Sequence, residues 1–149
     1  MKNHSKLSLF ILFLVAVLIF ACNQISDKNA KETILKGSTT IYVDEMHFQN
    51  VVFNLLDNAV KYRKPDQPLN VYIRTWNEGK KVCLSIKDNG IGIKKDNLKK
   101  VFDKFFRVHT GNVHDVKGFG LGLSYVKKMV DLHEGEIHVD SEKGKGSRR

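Results

Sequence analysis

The chain has 149 residues, with 25 Lys and Arg against 16 Asp and Glu and a formal net charge of +9, a size that fits one modest domain plus an appendage. Lysine is spread along the chain with no aromatic–arginine interleaving and no helix-turn-helix pattern, so the charge reads as solvated surface and nucleic acid is excluded as a partner. Two cysteines make no disulfide framework.

In chain order, Lys2, His4 and Lys6 precede an apolar run from Leu7 to Ala21, broken only by Ser8, and Cys22 follows. A basic start and a short apolar centre form the pattern of an export signal. The run is shorter than the roughly 20 residues a spanning helix needs. Its close, "IFAC", is similar to a bacterial lipoprotein processing box with Cys22 as the lipidated residue; an uncleaved signal anchor is the alternative. Either reading ties residues 1–22 to a membrane. Residues 23–39 are polar and read as a linker or a frayed domain edge.

Thr40–Val43 is a short β-branched strand, and the periodicity after it predicts a helix over residues 45–61 with Asp44 as N-cap. Phe48, Val51, Val52, Leu55, Leu56, Ala59 and Val60 form its apolar stripe. Asn54, Asn58, Lys61 and Tyr62 project from one edge beside that stripe. Asparagine is a mediocre helix former, so a polar edge built this way gives up helix stability, and function is one reason to do so. Pro65 and Pro68 end the helix. Leu69–Asn77 and Lys81–Asp88 alternate around an "EGK" turn and read as a hairpin, with Cys83 as a small packed side chain. After "DNGIGI" come a short polar helix, the stretch "VFDKFFRVHTGNVHDVKGFGLGL", a helix over Leu121–Leu132 ended by Gly135, and a strand over Glu136–Ser141. This mixed order predicts an α+β fold, a two-layer sandwich with helices on one face of a mainly antiparallel sheet.

Two glycine turns stand out. "DNGIGI" puts Asp88 at a strand end, with Gly90 and Gly92 letting the backbone approach a flat or phosphorylated ligand; an ordinary Asn-Gly turn has the same letters. "GFGLGL" at Gly118–Leu123 opens a helix, whose free N–H groups attract phosphate. No hydrophobic parallel strand feeds it and no acidic residue follows at the dinucleotide-binding distance, which excludes the Rossmann version. Between the turns, residues 103–118 read as a lid that orders over a ligand. Arg107 would bring a planar cation to a phosphate, or else make a surface salt bridge, while Phe102, Phe105 and Phe106 read as core.

Together these segments resemble the ATP-binding domain of bacterial sensor histidine kinases, within the ATPase superfamily shared with gyrase and mismatch-repair ATPases. "NVVFNLLDNAVKY" resembles the N box, "DNGIGI" the first glycine box, "FDKFFR" the F box, "GFGLGL" the second glycine box and "GKGS" at Gly144–Ser147 the third, in the family's order over residues 41–147. The resemblance implies ATP and Mg2+ as ligands. Asn54 would coordinate Mg2+, a hard cation that prefers oxygen. Asn58 would lie beside the triphosphate, Lys61 would contact phosphate, and Tyr62 would pack on adenine. Asp88 would accept from the adenine amine and so reject guanine. Gly90 and Gly92 would admit the base, and Gly118, Gly120, Leu121 and Gly122 would line the phosphates, with Arg107 joining from the lid. Where gyrase-like relatives carry a water-activating glutamate, this chain has Asn54, which takes no proton, so the γ-phosphoryl is kept for a histidine acceptor.

The resemblance also sets expectations about what is absent. The family's dimerisation helices with their acceptor histidine have no counterpart. His133 reads as a capping or surface histidine, and His47, His109, His114 and His138 lack acceptor context. An acceptor-histidine domain would therefore act in trans, with a response regulator downstream. The chain stops at "GSRR", where the family continues into a last strand, so one sheet edge is expected to be missing or frayed. An export signal would place the domain outside the cytoplasm, where ATP is scarce. A membrane-anchored remnant or interaction module that keeps the fold without catalysis is the alternative; a superfamily ATPase is disfavoured by Asn54.

Overall fold

In the computed structural model, residues 5–8, 33–35, 40–107 and 118–149 are described. In chain order the elements are β1 (Ser5–Ser8), β2 (Thr33–Leu35), β3 (Thr40–Val43), α1 (Glu45–Lys61), β4 (Val71–Glu78), β5 (Lys81–Asp88), a 3-10 turn (Lys95–Asn97), α2 (Gly122–Leu132), β6 (Asp140–Glu142) and β7 (Gly146–Arg148). The apolar run beyond Ser8, Cys22, and the central part of the expected lid with His109 and His114 lie outside the described residues. Among the described residues, no helix is long and apolar enough to cross a membrane.

α1 begins where the sequence predicts. Asp44 is extended, and its side chain accepts from the His47 backbone N–H at 2.9 Å, satisfying one of the helix's orphan donors. Val51, Val52, Leu55, Leu56 and Ala59 are its buried positions, and the first four join Ile86 of β5 and Val126 of α2 in one apolar core. Ile86 and Val126 are fully buried, so the centre of the domain lies where both helices meet β5. Ile73 and Leu84 pack against the same cluster. The opposite side of β4 carries Arg74, stacked 5.4 Å over the Trp76 ring.

The main sheet has the order β2-β4-β5-β7-β6. β4 and β5 form the expected antiparallel hairpin through Gly79-Lys80, with Gly79 in the left-handed region at φ +58. Several features differ from the sequence reading. Thr33–Leu35, read as linker, is a strand paired parallel to β4 in the register Thr33↔Ile73. The end of the third glycine box and Arg148 form an inner strand, β7, between β5 and β6. It pairs with β5 at Lys87↔Arg148 and Asp88↔Ser147, and Arg149 and Ile86 exchange backbone hydrogen bonds of 3.0 and 2.8 Å. β7 is three residues long and lies at the Asp88 end of β5. The expected strand over Glu136–Ser141 is shorter and later, as β6. β1 pairs antiparallel with β3 in a separate two-stranded sheet.

Candidate functional site

The carboxyl end of β5, the last turns of α1 and the start of α2 enclose one cavity. Its wall includes Asn58, Tyr62, Asp88, Gly92, Arg107, Gly120 and Gly122, all anticipated from sequence, and also Ser147 and Arg149, which were not. Ile91, Ile93, Val101, Phe106 and Leu123 supply the apolar part, a slot whose chemistry suits a flat ring.

Asp88 closes the deep end. Only 4% of it is exposed, and a carboxylate stripped of water needs partners. Its Oδ1 accepts from the backbone N–H of Gly90 at 2.9 Å and of Ser147 at 3.2 Å, and its Oδ2 accepts from an Arg149 guanidinium nitrogen at 3.1 Å. Burial pushes the Arg149 guanidinium below its ordinary value, while the adjacent Asp88 carboxylate acts the other way. Nothing in local periodicity signals this pair, because the partners are 61 residues apart. The "GKGS" glycine box marked the approach of the chain, and strand alternation from Ser147 reaches Arg149.

The first glycine box is shaped by contact with α1. A Cβ at Gly90 would stand 2.4 Å from the Tyr62 carbonyl, the same oxygen that accepts from the Ile91 N–H at 2.9 Å. Gly90 therefore lies behind the wall and fastens the loop to the end of α1.

At the other end of the cavity, α2 starts with no side-chain cap on Leu121 and no acidic residue in its first turn. Its leading N–H groups are left for an anion. Asn54 adjoins this end. Its amide nitrogen donates to the Asn50 carbonyl at 2.7 Å, which turns Oδ1 toward Gly122. Asn58 is close to the same glycine, its Nδ2 3.9 Å from the Cβ position. Lys61 is paired with Asp57 one turn back, and its Nζ is 3.7 Å from the Cβ position of Gly118. Leu121 is exposed and does not line the cavity.

The two ends of the expected lid are joined: the Phe105 N–H donates to the Gly120 carbonyl at 3.0 Å. Phe105 has φ 63 and is 70% exposed, which corrects its reading as core; the close approach to Gly120 holds the backbone in that conformation and directs the ring outward. Phe106, half-buried, lines the cavity instead. Among the described residues, no group of three or more His, Cys, Asp or Glu is placed to hold a metal ion.

His133 caps α2, as its position suggests, and does more. Its Nδ1 is 2.8 Å from the Met129 carbonyl, and its Nε2 is 3.1 Å from the Asp44 N–H. An Nε2 facing a donor must accept, so the proton belongs on Nδ1. The end of α2 is thereby pinned to the start of α1.

Residues 43–148 match the family described as histidine kinase-, DNA gyrase B-, and HSP90-like ATPase. The chain is 65% identical over 108 residues to sensor protein RprX of Bacteroides fragilis, covering 72% of this chain and 21% of RprX. It is 37% identical over 107 residues to the sensor histidine kinase WalK of Bacillus subtilis, covering 72% of this chain and 18% of WalK. It thus spans about a fifth of the length of these relatives. The fold matches the catalytic domain of histidine kinase ThkA with a TM-score of 0.80 at 23% identity, covering 99% of this chain and 94% of that one. It also matches full-length ShkA in complex with AMPPNP, with a TM-score of 0.79 at 21% identity, covering 99% of this chain and 30% of that one. With the five boxes gathered around one cavity, the chain belongs to the histidine kinase-, DNA gyrase B- and HSP90-like ATPase family and has the α+β fold of the histidine-kinase catalytic domains.

Proposed function

We propose that residues 40–149 bind ATP with Mg2+ and hold its γ-phosphoryl group for transfer to a histidine on another domain or chain. The observation that carries this reading is the polarity of the cavity. A buried acceptor, Asp88, lies at one end of an apolar slot, and an uncapped helix start lies at the other. An adenine amine would donate to Asp88 while the ring packs against Tyr62 and the isoleucines. The triphosphate would lie at the glycines of the α2 start, with Lys61 and Arg107 as cations near it.

The residues present fit a magnesium ion. The amide orientation of Asn54 leaves one hard oxygen facing the phosphate end, and no carboxylate cluster competes for the metal among the described residues. When bound, Mg2+ would neutralise developing charge on the phosphate oxygens. Asn54 contributes an oxygen without a basic site, so it orients and cannot deprotonate water; hydrolysis is therefore slow. Of the described histidines, His47 is bonded to the Tyr125 hydroxyl at 3.0 Å, His133 spans Met129 and Asp44, and the exposed His138 lies 3.6 Å from a Glu136 carboxylate oxygen. Their structural use supports an acceptor histidine in trans, and a response regulator beyond it. Residues 1–22 would attach the chain to a membrane, and the nucleotide domain would need the cytoplasmic face to meet ATP, although the same residues read as an export signal.

Calorimetry of the full chain in mild detergent, with ATP and magnesium, tests this. Heat is expected for the wild type and none for Asp88→Asn, with thermal melting used to show that the variant remains folded. A folded wild type that gives no heat would end the reading.

A further inference from the structure

The geometry points to Arg149 as a second base-reading residue, donating a hydrogen bond to a ring nitrogen of the adenine whose amine Asp88 accepts. The inference rests on the nucleotide reading above. The Arg149 backbone is locked by its two hydrogen bonds to Ile86, so the side chain leaves from a core position beside a fully buried isoleucine. A position that needed only filling would be served by an apolar side chain. A guanidinium is there instead, 4% exposed, lining the cavity with Tyr62, Ile91 and Phe106. One nitrogen is committed to Asp88 Oδ2, while the buried Nε has no partner among the described residues.

A buried guanidinium with an unmet donor is expensive, and an ion pair of this kind does not offset that cost by itself. An acceptor supplied by a ligand would. Asp88 Oδ2 has one contact in place and a second lone pair to offer, so the amine can be received without breaking the pair. The amine of adenine is flanked by ring acceptors, N1 and N7. A neighbouring acceptor and donor on the protein match an amine and a ring nitrogen, the same pairing that an Asn or Gln side chain makes with adenine. Arg149 thus turns a single contact to the base into two.

The test is calorimetry on the full chain with ATP, 1-deaza-ATP and 7-deaza-ATP, for the wild type, Arg149→Met and Arg149→Lys. Loss of a hydrogen bond from a charged donor should weaken ATP binding by about tenfold in Arg149→Met. For the analogue lacking the nitrogen that Arg149 contacts, the same substitution should change affinity less than about twofold, because the bond is already gone. Arg149→Lys keeps charge but not the fork, and it carries the test if the methionine variant melts below the assay temperature. Equal losses on all three nucleotides would mean that Arg149 only supports the fold, and would overturn the inference. Tighter ATP binding in Arg149→Met would also overturn it, since Arg149 would then obstruct the base. Absence of heat with any nucleotide in the wild type is a different result, which removes the nucleotide reading itself.

Discussion

Asn54 and Gly122 meet where α1 and α2 converge: a Cβ at position 122 would stand 2.8 Å from Asn54 Oδ1. The obstacle is the tip of a short side chain, so a larger residue there would rotate the amide and leave the backbone in place. Gly122→Ala should therefore fold, since Gly122 is the first residue of α2 and has no left-handed φ that a Cβ would strain. It should weaken ATP binding in magnesium by about tenfold, the scale of one lost charge-assisted contact. Melting and calorimetry together check this; unchanged affinity would separate Asn54 from the metal.

Removing the metal gives an independent reading of Asn54. Wild-type ATP affinity should fall when magnesium is replaced by EDTA, because the triphosphate would meet the α2 start without neutralisation. In Asn54→Ala the difference between the two conditions should shrink, since the oxygen proposed to favour the metal complex is gone. The substitution also removes the bond to the Asn50 carbonyl, which lies on an exposed stretch of helix and is replaced by water. A full magnesium effect in Asn54→Ala would contradict the assignment.

Gly146 carries a heavier constraint. Its φ is +104, and a Cβ would lie 2.0 Å from the Asp88 carbonyl, a backbone atom that cannot move aside. Gly146→Ala should cost at least about 2 kcal/mol through strain and displacement of β7. Urea unfolding would measure it, and nucleotide binding should fail with it, because β7 brings Ser147 and Arg149 to Asp88.

Much of this domain was legible in the sequence where interactions are local. The α1 boundaries, the Asp44 cap and the β4–β5 hairpin follow from periodicity, capping chemistry and a Gly turn, each contained within a few residues. The two-layer α+β arrangement followed from the order of those elements; of the residues singled out in the boxes, Asn58, Tyr62, Asp88, Gly92, Arg107, Gly120 and Gly122 line the cavity, while Asn54, Lys61, Gly90, Gly118 and Leu121 are not in its wall. What escaped is non-local. Three residues at Thr33–Leu35 are too few to show alternation, and a parallel pairing with β4 leaves no trace in neighbouring letters. Arg149 reads as one more basic residue until strand register carries it to Asp88. Phe105 has the composition of core and the backbone of a turn, and the contact with Gly120 decides between them.

The remaining prediction concerns acid. The His47 backbone N–H, bonded to the Asp44 side chain, holds that carboxyl below its ordinary value, and the nearby His47 and His133 rings act in the same direction. Because the folded value is depressed, the cap's contribution is complete above the unfolded value of about 4 and is lost as pH falls through the folded one. Urea midpoints taken from pH 6 down to about pH 2 should therefore show a decline for the wild type that begins near pH 4. Asp44→Asn keeps an oxygen acceptor for the same N–H but has no proton to gain, so part of that decline should vanish while the neutral-pH midpoint stays near that of the wild type. Asp44→Ala should lower the midpoint at neutral pH and remove the same part of the acid dependence. The His133 bond to the Asp44 backbone N–H survives both substitutions, so any midpoint change they share comes from the cap carboxylate and not from release of α2. An Asp44→Asn curve that parallels the wild type down to pH 2 would place the acid sensitivity elsewhere.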